Sequence, residues 1–123
     1  MQQSFQITAA AAVPAGGTVT VTCDQGFCED DDTLTGTTAG WSGSPTSYNY
    51  QWQTAADISD SCATVPAANY NNIGSSTNTA STTNNFNPPD TNNDECYRVV
   101  VIATNGAGPS SSVASAGFYV REN

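Results

Sequence analysis

Histidine and lysine are absent from the 123 residues, and Arg98 and Arg121 are the only basic side chains. Without histidine there is no zinc–imidazole site and no Ser-His-Asp relay. Without lysine there is no Schiff base and no Ser-Lys pair. Eleven acidic residues leave a net charge of -9 with no basic patch. That argues against nucleic acid as a partner and disfavours anionic membrane surfaces. No apolar run approaches the roughly 18 residues that a membrane-spanning helix needs, so direct membrane insertion is not expected. The small-residue stretch 9–13 is short and lacks the basic flank of a signal peptide. There is no glycine-rich phosphate loop of the required spacing and no helical apolar period with caps. These absences together describe a non-catalytic chain.

What is present is β-forming. The length suits one domain, 1–123, with a core of its own. Four cysteines among many threonines, serines and asparagines read as disulfides formed in an oxidising compartment, extracellular or at a cell surface. The strongest strand signal is 96–104, where Tyr97, Val99, Val101 and Ala103 share one face and Cys96, Arg98, Val100 and Ile102 the other. Residues 18–23 alternate valine and threonine and end on Cys23; residues 48–53 place Tyr48, Tyr50 and Trp52 on one side. The same reasoning expects a first strand at 5–8, weak strands at 69–74 and 84–87, an exposed bend at 75–83, and a last strand at 113–120. The connection 24–46 is unusually long and has Leu34 as seed of a short extra strand. The expected fold is all-β: a sandwich of two antiparallel sheets, about seven strands, with long loops.

Three motifs carry a resemblance. Tyr48-Asn49-Tyr50-Gln51-Trp52-Gln53, Phe86-Asn87-Pro88-Pro89 and Cys96-Tyr97-Arg98-Val99-Val100-Val101 resemble, in this order, strands of immunoglobulin-like repeats in large secreted surface proteins and adhesins of Bacteroidetes-type bacteria. The run from Tyr97 to Ser110, with Asn105-Gly106-Ala107-Gly108-Pro109, is similar to the end of a fibronectin type III domain. The resemblance implies an immunoglobulin-like sandwich serving as spacer, stalk unit or adhesive module, with neighbouring modules or copies of itself as partners.

An animal immunoglobulin domain would join Cys23 to Cys96 across the core, leaving Cys28 with Cys62. If 18–23 is the second strand and 96–104 the sixth, Cys23 and Cys96 lie at opposite poles, roughly 15 Å apart and beyond the reach of a disulfide. Cys96 also lies on the face opposite Tyr97 and Val99. The pairs 23–28 and 62–96 fit better, with 23–96 and 28–62 as the alternative.

Two acidic groups qualify as calcium ligands, calcium being a hard cation that takes several oxygens. One is Glu29, Asp30, Asp31 and Asp32, which lacks the spacing of a helix-loop-helix calcium loop. The other is Asp57, Asp60, Asp90, Asp94 and Glu95, on two connections expected to leave the same pole. Each also reads as ordinary solvated charge. Trp41, among glycines in the long connection, is the candidate for stacking on a glycan or contacting a surface protein; its other reading is a small satellite core. The reading these signals favour is a non-catalytic structural or adhesive module, and the alternative is a carbohydrate-binding module using Trp41 and loop carboxylates.

Overall fold

The computed structural model describes residues 12–25, 28–56, 61–90 and 93–122. The strands are β1 (Thr18–Cys23), β2 (Leu34–Ala39), β3 (Ser47–Ala56), β4 (Asn71–Asn72), β5 (Thr77–Thr79), β6 (Thr83–Phe86), β7 (Glu95–Asn105), β8 (Gly108–Pro109), β9 (Val113–Ala114) and β10 (Phe118–Val120). Two 3-10 turns, Cys62–Thr64 and Ala67–Asn69, lie between β3 and β4. One sheet has the order β1-β2-β6 and the other β10-β7-β3-β4, with β5 also on β3 and β8 and β9 also on β7. Ten pieces thus occupy seven positions, three in one sheet and four in the other. The chain is an immunoglobulin-like β-sandwich.

β7 is the axis of the larger sheet, pairing along its length with β3 from Ser47↔Thr104 to Ala56↔Glu95. Tyr97, Val99, Val101 and Ala103 are completely buried, as their parity requires. Tyr48, Tyr50 and Trp52 of β3 face the same way and are buried with them. Trp52 stacks on Phe86 of β6 at 5.2 Å, and Phe86 meets Tyr97 at 5.9 Å, so an aromatic file joins the sheets. Such pairs add about 0.5–1.5 kcal/mol each beyond the area they bury. Val19, Leu34 and Val120 complete this core.

The described residues correct several sequence expectations. The connection after Cys23 holds a full strand: β2 lies between β1 and β6 in the smaller sheet. Its inward positions are Leu34, Gly36 and Thr38. Gly36 must be small because a Cβ there would meet Val99 Cγ1 at 2.9 Å and Trp52 Cζ2 at 3.2 Å. Thr38 is buried and satisfies its hydroxyl by donating to Thr18 O at 2.8 Å. Only Asn71 and Asn72 of the expected strand 69–74 are in a ladder, and the expected bend 75–83 includes β5. The expected strand at 5–8 lies outside the described residues.

The last strand is broken, and the register shows how. From Pro109 to Val113 the chain advances four residues while its partner on β7 moves only from Thr104 to Val101. From Val113 to Phe118 it advances five while the partner moves from Val101 to Tyr97. Each break therefore carries one extra residue, a bulge. Ser110 and Ser115 repair the ladder in the same way. Ser110 N–H donates to Ala103 O at 2.7 Å, and Ala103 N–H donates back to Ser110 Oγ at 2.9 Å. Ser115 N–H donates to Val99 O at 2.9 Å, and Val99 N–H to Ser115 Oγ at 3.0 Å. A buried hydroxyl replaces the carbonyl that the bulge moved out of register.

Both disulfides are those preferred from the sequence: Cys23–Cys28, with Cα atoms 6.0 Å apart, and Cys62–Cys96, at 5.7 Å. The pole argument behind that preference is overturned. Cys23 pairs with Leu34, Leu34 with Phe86, and Phe86 touches Tyr97, so Cys23 and Cys96 lie at the same pole. What separates them is the larger sheet. Cys23 packs toward the core between the sheets, whereas Cys96 is buried on the outer face with Ala55, Cys62 and Tyr70.

Candidate functional site

The pole where β3 and β10 end and β7 begins gathers most of the sequence candidates. The chain leaves the sandwich here through Arg121, which forms a parallel bridge to Glu29. Arg121 N–H donates to Cys28 O at 2.9 Å and Asp30 N–H donates to Arg121 O at 3.0 Å. The loop that does this is folded by its own carboxylates. Asp24 Oδ1 accepts from Thr33 N–H at 3.2 Å and Asp32 Oδ2 from Glu29 N–H at 2.9 Å. Asp31 takes the left-handed conformation, φ 81°. Asp30 is only 2% exposed. The ligand atoms of Cys23, Cys28 and Asp32 lie within 4.8 Å of one another, but both sulfurs are spent in the disulfide.

The second acidic group is not drawn to one point among the described residues. Asp57 and Asp60 lie outside them, and Asp90 is exposed. Asp94 accepts from the Tyr119 hydroxyl at 2.6 Å and from Glu122 N–H at 2.9 Å. The Tyr119 hydrogen bond first, and the Glu122 N–H next, hold its carboxyl below the usual range. Glu95 turns inward instead, accepting from Thr54 Oγ1 at 2.6 Å and from the Tyr97 hydroxyl at 3.3 Å. Burial pushes the Tyr97 phenol far up, and the Glu95 and Asp30 carboxylates push it further. Of the two acidic groups, Glu95 is the one bonded to the Tyr97 hydroxyl, a contact that sequence spacing did not reveal. Tyr97 is held neutral and Asp94 ionised, so neither is poised to exchange a proton near neutral pH.

On the outer face, the excursion 61–72 is folded over the start of β7. Tyr70 is buried beside the Cys62–Cys96 bond, and the Arg98 guanidinium lies 4.4 Å from its ring centroid. Arg98 Nε donates to Gln53 Oε1 at 2.7 Å, and Gln53 Nε2 donates to Asn72 Oδ1 at 2.9 Å. Arg98 thus meets an amide and an aromatic face, and its Nη2 donates to Ala67 O at 3.5 Å. Beside this cluster is an open cavity of about 400 Å³ lined by residues such as Ala56, Val65, Pro66, Asn69 and Asn71. None of the described residues that line it is ionisable.

Trp41 is at the other pole. Its indole lies over Gly17, where any Cβ would collide with the ring, and its Nε1–H donates to Thr38 Oγ1 at 2.6 Å. It is half-buried and packs against the core between the sheets, which is the satellite-core arrangement.

No protein-family model matches this chain, and neither does any curated protein. A solved structure described as "Structure of FN3tt mut" aligns with a TM-score of 0.47 and 21% identity, covering 85% of this chain and 94% of that chain. The sandwich is defined by its own strand order and register. Its two disulfides belong to an oxidising, non-cytoplasmic compartment. Among the described residues, no helix is long and apolar enough to cross a membrane.

Proposed function

We propose that this chain is a non-catalytic module that works in series with neighbouring modules or copies of itself, in an extracellular or cell-surface protein with a structural or adhesive role. The observation that carries this reading is where the described residues enter and leave the sandwich. The chain comes in beside Asn105, the last residue of β7, whose side-chain amide donates to Ala12 O and Gly43 O at 2.8 Å each. It leaves beside Glu95, the first residue of β7, which pairs with Val120. The eleven residues of β7 separate the two points by about 33 Å, the rise of an extended strand of that length.

The entering and leaving segments are also clasped, by Ala15 to Ser42 at one pole and by Arg121 to Cys28 and Asp30 at the other. Entry at one pole and exit at the other suit a module that passes its axis on to the next. Two copies joined end to end are expected to scatter X-rays as an elongated particle close to twice the length of one. A maximum dimension little greater than that of one copy, meaning side-by-side packing, overturns the reading. Trp41 favours the carbohydrate alternative less than its sequence position suggested, because its N–H and part of its surface are used inside the protein. A glycan array comparing wild type with Trp41→Ala tests that alternative directly, and a wild-type signal lost in the variant would revive it.

A further inference from the structure

β1 and β10 run in the same direction, from the Asn105 pole to the Glu95 pole, in different sheets. Tension on the two ends of the chain therefore draws β1 toward one pole and β10 toward the other. Hydrogen bonds lying across strands that slide past one another are loaded in shear, and the bonds of one ladder must give together. β1 has six paired residues on β2 in one unbroken ladder, whereas the last strand holds β7 in three pieces, two pairs in β8, two in β9 and three in β10, the piece that takes the C-terminal load first. The bulge after Ala114 separates β10 from the rest of that strand, so its three pairs are loaded before the others.

Its reinforcement is the parallel bridge at Arg121. Cys28 and Asp30 hold both backbone groups of Arg121, and Cys28 is bonded to Cys23, the last residue of β1. The disulfide keeps the two Cα atoms at 6.0 Å, whereas the five steps of chain between them would otherwise stretch to about 17 Å. With the bond in place, β1 cannot slide without loading the Arg121 bridge at once. We propose that the loop closed by Cys23–Cys28 is a mechanical strap, tying the C-terminal strand to the N-terminal strand across the two sheets so that both resist tension together. Its use in the organism rests on the in-series reading above, but the property belongs to a single chain.

The second disulfide acts later in the same event. Cys62–Cys96, with a sequence separation of 34, withholds about 12 nm of chain from extension after the sandwich has opened.

The test is to pull the full chain by its two ends, between marker domains, in a force spectrometer at one loading rate. Arg121→Pro removes the N–H that Cys28 O accepts; Cys23→Ser with Cys28→Ser removes the bond; the triple variant combines them. Each is expected to lower the unfolding force, equivalent to roughly tenfold faster unfolding at a given force from the loss of one or two hydrogen bonds. The triple variant should fall no further than the weaker of the two, because both changes open the same path. An unchanged force without the disulfide, or losses that add, overturns the strap. So does a variant whose unfolding accelerates equally with and without applied force, since that is lost stability alone. Should the cysteine variant fail to fold, Arg121→Pro with both disulfides intact decides the matter by the same comparison. A compact pair in the scattering experiment together with the expected force losses would remove the in-series reading and leave the strap standing.

Discussion

The two disulfides sit at one pole, on either side of the larger sheet, and the regions they hold are built differently. Cys23–Cys28 lies at the rim of the core between the sheets, where Leu34, Trp52, Tyr97 and Val99 already supply a continuous apolar filling. Cys62–Cys96 lies in an outer cluster whose buried members are Ala55, Tyr70 and the two cysteines themselves. A crosslink is an addition to the first region and a large part of the second. The outer excursion has two short 3-10 turns and a two-residue strand, too little ladder to order itself. There the disulfide replaces apolar area that the sequence does not provide.

Removing each bond is the strongest way to break this comparison. Cys62→Ala with Cys96→Ala is expected to cost roughly 4 kcal/mol by loop entropy, and Cys23→Ser with Cys28→Ser roughly 2 kcal/mol, read from denaturant unfolding. Equal costs would mean that the outer cluster holds itself.

A methyl group probes the two packings next. Gly117→Ala puts a Cβ against Tyr70 Oη and 2.8 Å from Cys62 Cβ, while Gly36→Ala puts one 2.9 Å from Val99 Cγ1. Each overpacked site is expected to lose about 1–3 kcal/mol. Loss of protection from hydrogen exchange should be confined to 61–72 for Gly117→Ala and should spread through both sheets for Gly36→Ala.

The serine bulges give a smaller and more even effect. Ser110→Ala strands the Ala103 N–H and Ser115→Ala the Val99 N–H, both deep in β7, at about 1–3 kcal/mol each by thermal unfolding. A neutral result at either position would show that the broken last strand re-registers once its hydroxyl is gone.

The smallest effects are those of pH. Burial, with Tyr48 adding, pushes the Tyr50 phenol up to about 12, so the fold favours its neutral form. That contribution is whole below about pH 10 and lost as pH rises from about 10 to 12. Tyr50→Phe should flatten the alkaline limb of the stability curve, although it also removes the donor to Ser81 O at 2.7 Å. Asp94 has the opposite sign: its lowered pKa gives stability above the ordinary carboxylate range that is lost as pH falls through its own value. Asp94→Asn should flatten the acid limb.

The strands at 18–23, 48–53 and 96–104 were legible because period-two alternation is local: Val19, Tyr48, Trp52 and Val99 declare their face without reference to any partner. The disulfide pairs were also legible, through the parity of Cys96, although the pole argument was wrong. β2 was nearly invisible, because its inward positions after Leu34 are Gly36 and Thr38. They are chosen by what faces them, the Trp52 and Val99 side chains and the Thr18 carbonyl. The serine bulges were hidden for the same reason, since Ser110 and Ser115 mean something only against the Ala103 and Val99 amides.

By itself, then, the sequence determined an all-β sandwich through alternation, and excluded histidine- and lysine-dependent chemistry through the residue types it lacks. Only the tertiary structure decided that Glu95 turns in to Thr54 and Tyr97, that Arg98 stacks on Tyr70, and that the small disulfide loop grips the departing chain at Arg121. Each of these joins residues from distant parts of the chain, and strand periodicity carries no information about which loops the closing of two sheets will bring together.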